Sequence, residues 1–426
     1  MSSDTNDEPS GPWWRRLGPG LITGMADDDP SGIATFSQSG AQFGYAFAWS
    51  TLLTLPLMVA IQLASARIGR ITGQGLVENL MRVWPVWLIR CVVALLAVAN
   101  VVNLGADLNA AAEVTGMVFH GGGKAVYAFV YALGSLLLIV FVPYRRYVNV
   151  LKWLSLSTLS YVGVAIAAHV DWPHALQALV WPHVVWHKTY VTTLVAILGT
   201  TISPYLFFWQ AEQEVEEIRR IPQRQPLCQE PAQARAGLRS VRMDTLVGMV
   251  SSNLIAYFMI VAAAATLHAH GITHIETTTQ AAQALQPIAG RLAFGLFACG
   301  IIGTGLLAMP VLAGSLAYAV SGLMGIRQGL DQAPGQAKAF YGVLASVMVG
   351  GLIVSLLPIS PIHALYWAAV INAVVAVPVM VAVMRLASNA ELMHGFALPA
   401  VWRYLGWAAT VAMGLATVAM WAAMLW

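Results

Sequence analysis

Asp27-Asp28-Asp29-Pro30-Ser31-Gly32 is an acidic run closed by proline, set in a stretch (residues 18–45) that is otherwise small, polar and glycine-rich. A second proline occupies the matching place in Gly199-Thr200-Thr201-Ile202-Ser203-Pro204, inside the apolar stretch 189–210. Proline removes a backbone donor and clashes with the preceding turn, so a helix through either stretch must break there. A broken helix survives in a membrane only where protein or water satisfies the freed backbone groups. Breaks at corresponding places in two halves of a chain point to a transporter's binding site. Carboxylates at one break point to a cation as cargo.

Composition places both breaks in a membrane. The 426 residues are 58% hydrophobic and 10% charged, against about 25% charged in a soluble domain. Apolar windows near the roughly 20 residues needed to span a bilayer fall at 47–66, 88–117, 125–142, 148–169, 189–210, 244–267, 291–323, 338–357, 362–385 and 404–425. A large soluble α/β protein is excluded. The start, Met1–Pro12, is polar and acidic, so no cleavable signal peptide is expected. Cys91, Cys228 and Cys299 form no CxxC pair, and neither a disulfide framework nor a thiolate metal site is expected. The net charge of +3 says little about partners.

The positions of the charges say more. Arg15 and Arg16 precede residues 18–45, and Arg67 and Arg70 follow span 47–66. Positive clusters mark the cytoplasmic side. Two crossings, not one, put both clusters there, so 18–45 is the first span and the total is eleven. The N-terminus is then inside and the C-terminus outside. Of the 22 lysines and arginines, only Lys124, Lys188 and Arg291 fall on the other side. Trp84, Trp181, Trp186, Trp402 and Trp426 lie near span ends, as interfacial anchors do. The polar stretch 213–240, with Pro222, Pro226 and Pro231, reads as a flexible cytoplasmic linker. No soluble part is large enough to be an enzyme.

Eleven spans with broken first and sixth helices give an all-α polytopic fold. Five helices begin with each break, in opposite senses, and an eleventh is left over. That is an inverted five-plus-five repeat, with the site at the midplane between the breaks. The expected divisions are an N-terminal tail 1–17, a first repeat 18–170, an extracellular loop 171–188, a second repeat 189–386 and an eleventh-helix segment 387–426.

Asp29-Pro30-Ser31-Gly32-Ile33-Ala34-Thr35, continued by Gln42-Phe43-Gly44-Tyr45, resembles the Asp-Pro-Gly-Asn signature of the first helix of Nramp (natural resistance-associated macrophage protein) transporters. Ile202-Ser203-Pro204-Tyr205 resembles their sixth-helix Met-Pro-His, and Ala112-Glu113-Val114-Thr115-Gly116 a third-helix segment. The resemblance implies the inverted-repeat fold of the APC-superfamily type and divalent metal transport, usually of manganese or iron(II), coupled to protons. It aligns the family's metal-binding asparagine with Gly32, its methionine ligand with Ser203 and its histidine with Tyr205. Thioether sulfur favours softer transition ions, whereas hard Mg²⁺ wants oxygen. With Asp-Pro-Ser-Gly and Gly303-Thr304-Gly305-Leu306-Leu307, the chain looks most like the branch of Nramp-related magnesium transporters. That branch implies Mg²⁺ and Mn²⁺ transport with weak or absent proton coupling.

Asp29 is the first candidate ligand, a carboxylate at a helix break. Family correspondence adds the backbone carbonyls of Ala26 and Thr200, with the hydroxyls of Ser31 and Ser203 near, directly or through water. Asp28 is read as a vestibule or outer acid. Three adjacent aspartates splay over about 200° of helical arc, so at most two address one site. Asn103, Asp107 and Ala110 share a helix face; Asp107 and Glu113 are intramembrane acids and so functional candidates. Ala110 stands where the family often has aspartate. Glu212, Glu214, Glu216 and Glu217, mixed with Arg219 and Arg220, read as a solvated helix end. The histidines, mostly extracellular, have spacings that fit no compact metal site. The expected partners are divalent ions and the lipid bilayer, with no nucleic acid, no cofactor beyond the transported ion and a monomer as a compatible state. The rivals are a proton-coupled Mn²⁺/Fe²⁺ symporter of the main family type and an amino-acid transporter of the same fold. Asp29 would repel the carboxylate of an amino acid.

Overall fold

A computed structural model describes residues 18–425 apart from 143, 183, 185, 186, 276 and 277. The tail 1–17 with Arg15 and Arg16, His183, Trp186 and Trp426 lie outside the described residues, as do the side chains of Arg145 and Arg291. The helices are α1 (Pro19–Asp27), α2 (Pro30–Phe43), α3 (Ala48–Thr72), α4 (Leu76–Leu80), α5 (Val86–Val118), α6 (Lys124–Phe141), α7 (Tyr144–Leu154) and α8 (Leu159–Ala167) in the first part. α9 (Trp172–Val180), α10 (Lys188–Thr201), α11 (Pro204–Arg220), α12 (Ala234–Thr266), α13 (Thr278–Met324), α14 (Lys338–Ser355), α15 (Pro361–Ser388) and α16 (Ala400–Leu425) follow. Among the described residues there is no strand.

Ten segments among the described residues are long and apolar enough to cross a membrane. The first of them, Pro30–Thr72, holds two helices, α2 and α3, joined by the 3-10 turn Gly44–Phe47. Taken as separate crossings, with α1 joined to α2, they bring the total to the eleven expected. α1 with α2 and α10 with α11 open the two inverted repeats. Both breaks fall where proline demands. α1 stops at Asp27 and α2 starts at Pro30; α10 stops at Thr201 and α11 starts at Pro204. Each proline takes a first-turn position, where its missing N–H costs nothing.

The outer surface is apolar. On α6, Val126, Phe129, Val130, Leu133 and Leu137 are exposed, and on α16 so are Val411, Leu415 and Val418. Such stripes at helical spacing suit contact with lipid, which needs no polar rim. Inside, the broken helices pack through small residues. A Cβ on Gly24 would collide with the Gly248 backbone of α12, and one on Gly20 would lie 2.6 Å from the Thr245 amide. On the other side, a Cβ on Gly199 would collide with the Ala369 carbonyl of α15. Close backbone approach of this kind is how membrane helices gain packing energy without a hydrophobic drive. Asp244 of α12 accepts from the amides of Gly18 (2.9 Å), Gly20 (2.7 Å) and Leu21 (3.1 Å). It satisfies donors at the start of α1 that the helix itself cannot.

Two expectations are corrected, and one segment gains detail. Residues 213–220 continue α11 and 234–240 begin α12, so only 221–233 connects the two. That connection is anchored, not loose: Leu227 is fully buried, its amide donates to Arg70 (3.3 Å), and the Arg70 guanidinium donates to the Gln225 carbonyl (2.6 Å). Polar composition marks residues outside the apolar windows; it does not mark them as unfolded. The stretch 171–188 carries the helix α9. Glu212, Glu214, Glu216 and Glu217 are all buried, at 2%, 3%, 0% and 5% exposure, and only Arg219 and Arg220 at the tip of α11 reach solvent. α3, α4 and α13 close around that end, which local charge patterning does not reveal.

Candidate cation site at the helix breaks

Asp29 is the N-cap of α2 and the hub of the first break. Its Oδ1 accepts from the Ser31 hydroxyl (2.5 Å) and the Gly32 amide (2.8 Å). Its Oδ2 accepts from Asn103 Nδ2 of α5 (3.0 Å) and from the Tyr205 hydroxyl of α11 (3.0 Å). The carboxylate is 1% exposed. Capping explains the first pair of bonds, because an N-cap oxygen satisfies the free amides of the first turn. Capping does not explain the second pair, which draws two other helices onto one carboxylate. The Tyr205 hydroxyl also reaches the Ala26 carbonyl at 3.3 Å. It therefore joins the second break to both oxygens expected from the first.

Thr200 and Ser203 stand together at the other break. The Ser203 hydroxyl donates back to the carbonyls of Thr200 (2.9 Å) and Gly199 (3.0 Å). The Thr200 hydroxyl has no hydrogen-bond partner and comes up against Gly32, where a Cβ would lie 3.2 Å from it. So Ala26, Asp29, Ser31 and Tyr205 form one bonded group with Asn103, and Gly32 meets Thr200 beside it.

The three aspartates diverge across the break, Asp27 ending α1, Asp28 capping it and Asp29 capping α2 in extended conformation. Asp27 Oδ2 and Asp28 Oδ1 both accept from Ser252 of α12, at 3.0 and 3.3 Å, away from Asp29. Their other oxygens, Asp27 Oδ1 and Asp28 Oδ2, are buried without partners. Asp107 is fully buried and lies within electrostatic reach of Asp29. The Ser31 amide is close to Asp107, yet neither Asp107 oxygen meets ordinary hydrogen-bond geometry. Buried carboxylates without such a bond are rare. Glu113 is half-buried, six residues and about 9 Å of axial rise further along α5. Among the described residues no three His, Cys, Asp or Glu side chains converge on a metal position. A cation here would rely on one or two carboxylates, carbonyls, hydroxyls and its own water, as hard ions accept.

The comparisons give the architecture a family. A model described as Natural resistance-associated macrophage protein-like (Nramp) matches residues 20–423. The chain belongs to the Nramp family. A relative from Klebsiella pneumoniae, named divalent metal cation transporter MntH, is 26% identical over 409 residues, covering 92% of this chain and 90% of that protein. One of the same name from Verminephrobacter eiseniae is 26% identical over 367 residues, covering 82% and 80%. Among solved structures, a manganese transporter of Eremococcus coleocola superposes with a TM-score of 0.77 at 17% identity, covering 98% of this chain and 89% of that one. Mhp1, a nucleobase-cation-symport-1 family transporter, superposes with a TM-score of 0.58 at 14% identity, covering 96% and 92%. At these identities the superpositions speak for the inverted-repeat fold alone.

Two features of this Nramp site lay beyond the sequence reading. Asn103 was placed on a face with Asp107, not on Asp29. Ser252 carried no signal beyond being a polar residue in an apolar span. Asn103 holds the Asp29 carboxylate, and where such a carboxylate is a metal ligand, losing the partner costs about 10–100-fold in metal affinity. Asn103→Ala should therefore raise the concentration of Mn²⁺ needed for half-maximal uptake by at least about tenfold. An unchanged value would show that Asn103 is only a packing contact.

Proposed function

We propose that this chain is a multi-pass carrier of divalent cations, Mg²⁺ and Mn²⁺, working by alternating access about the two helix breaks. The observation that carries the reading is the convergence of α2, α5 and α11 on Asp29. A buried carboxylate drawn between broken helices makes a cation the fitting cargo. The relatives' names, divalent metal cation transporter, support the same substrate class.

The preference for Mg²⁺ alongside Mn²⁺ rests on the donor set. Asp29, the carbonyls of Ala26 and Thr200, and the hydroxyls of Ser31 and Ser203 are all oxygen. Mg²⁺ sheds water reluctantly, and small residues at 31, 32 and 203 favour retention of that water. Asp28, Asp107 and Glu113 are proposed to line the approach. The charge distribution supports a cytoplasmic N-terminus and an external C-terminus in the cytoplasmic membrane of a bacterium, with the loop 171–188 outside.

A proton-coupled manganese symporter is the second reading, favoured by membership of the Nramp family. Against strong coupling stand two residues. Tyr205 occupies the place of the family's histidine, and a tyrosine hydroxyl does not titrate near neutral pH. Ala110 leaves no acid where one is common. The test is a series in proteoliposomes: Mg²⁺, Mn²⁺ and Ca²⁺ uptake, each with and without an imposed pH gradient. The expected result is uptake of Mg²⁺ and Mn²⁺ that changes less than about twofold with the gradient, with little acidification of the lumen. Acidification in proportion to metal uptake would favour the symporter. Uptake of none of the three would end the cation reading.

A further inference from the structure

We propose a second divalent-cation site, separate from the helix breaks, formed by Glu78, Glu212 and Gln328 around Gly75. A Cβ on Gly75 would collide with both Oε1 of Glu212 and Oε2 of Glu78. The two carboxylates are thus aimed from α11 and α4 at one small space that glycine leaves open. Gly322 of α13 bounds it on another side, where a Cβ would lie 3.4 Å from the same Glu78 oxygen. Gln328, in the segment after α13, donates from Nε2 to Glu78 Oε1 at 2.7 Å.

Glu78 Oε2, at this space, is buried without a partner, and so is Oε1 of the Gln328 amide that bonds Glu78. Gln328 is only 7% exposed. Buried polar atoms in native proteins are normally bonded, so each exception asks for a partner. Neighbouring acids differ in having a basic side chain at hand, although Glu216 Oε2 is also buried without a hydrogen-bond partner. Glu216 accepts from the Tyr318 hydroxyl (2.7 Å) and the Leu330 amide (2.9 Å), with Arg219 at 3.9 Å. Glu217 pairs with Arg220 (2.7 Å) and Arg224 (3.6 Å). Among the described residues no basic side chain forms an ion pair with Glu78 or Glu212. The nearby Arg219 instead donates to the Gln328 carbonyl at 3.2 Å.

Two convergent carboxylates and an amide oxygen, with Arg219 and Arg82 near enough to act on Glu78 but not in ion-pair contact, suit a hard divalent cation that fills its remaining positions with water. Mg²⁺ and Mn²⁺ fit that description. Glu212 lies eight residues beyond Pro204, about 12 Å along α11, so the site is distinct from Asp29. An ion released from the break along α11 would meet these oxygens next. The proposal does not depend on the role given to Asp29, because its test counts bound ions and not transport.

The experiment titrates the purified full-length chain in detergent with Mn²⁺ and follows the free ion by electron paramagnetic resonance. The double variant Glu78→Gln with Glu212→Gln should bind one Mn²⁺ fewer per chain than the wild type. Asp29→Ala should keep the ion that the double variant loses. A double variant that binds as many ions as the wild type would overturn the proposal. So would loss of all Mn²⁺ binding in Asp29→Ala. Melting temperatures give a second reading, since a ligand that binds only the folded state raises stability. Added Mg²⁺ should raise the wild-type melting temperature more than that of the double variant; equal rises count against the site. If the double variant does not fold, Gln328→Leu keeps both carboxylates and should weaken the second Mn²⁺ by about tenfold. Unaltered binding of that ion would equally refute the assignment.

Discussion

Asp29→Ala should abolish divalent-cation uptake in proteoliposomes while leaving the amount of inserted, monodisperse protein close to wild type. The carboxylate accepts four hydrogen bonds, from Ser31, Gly32, Asn103 and Tyr205. Its removal deletes the carboxylate proposed as the charged ligand where the two breaks meet. Loss of a residue that merely orients a ligand costs about 10–100-fold in metal affinity, so loss of the ligand should exceed 100-fold. Alanine also removes an N-cap, which costs about 1 kcal/mol and should not unfold a helix packed on every side. Asp29→Asn separates the two roles. Asparagine caps as well as aspartate does, yet carries no charge, and should be as inactive as the alanine variant. Wild-type Mn²⁺ uptake by Asp29→Asn would mean that Asp29 is a cap and that the cargo site lies elsewhere.

The double substitution Gly32→Asn with Ser203→Met should shift preference from Mg²⁺ toward Mn²⁺. A thioether is a poor ligand for a hard ion and a good one for a softer ion. Its bulk would also displace water that Mg²⁺ prefers to keep. The geometry shows what each change meets. A Cβ on Gly32 would sit 3.2 Å from both the Asp27 carbonyl and the Thr200 hydroxyl, so these must give by a few tenths of an ångström. The Ser203 hydroxyl now occupies the Thr200 and Gly199 carbonyls. Methionine would release both, one of them an expected ion ligand. In competition assays, the Mg²⁺ concentration that halves Mn²⁺ uptake should rise by roughly tenfold, a difference of about 1.4 kcal/mol. If Mg²⁺ competes equally well against the double variant, selectivity does not reside at these two positions.

The breaks were legible because proline acts on its own helix: Pro30 and Pro204 dictate both interruptions from local sterics alone. The crossings were legible because lipid demands long apolar windows. What local pattern does not carry is which distant side chain meets which. Tyr205 reaches Asp29 across 176 positions, and Ser252 meets Asp27 across 225. Asp244, a buried acid in a span, gave no hint that it caps the start of α1. The end of α11 misled in a more instructive way. Glu212 to Arg220 has the mixed charge of a solvated helix terminus, yet its glutamates are closed in by α3, α4 and α13 and only the two arginines at the tip are exposed. Composition reports what a segment could tolerate; the packing of other segments decides what it gets.

The measurement that bears most directly on the central claim is anomalous diffraction at the manganese edge from crystals grown with Mn²⁺. The account predicts a peak bonded to a carboxylate oxygen of Asp29, within reach of the Ala26 carbonyl, that disappears when crystals of Asp29→Asn are treated identically. Manganese peaks confined to other parts of the protein, with the Asp29–Tyr205 hydrogen bond intact, would contradict it.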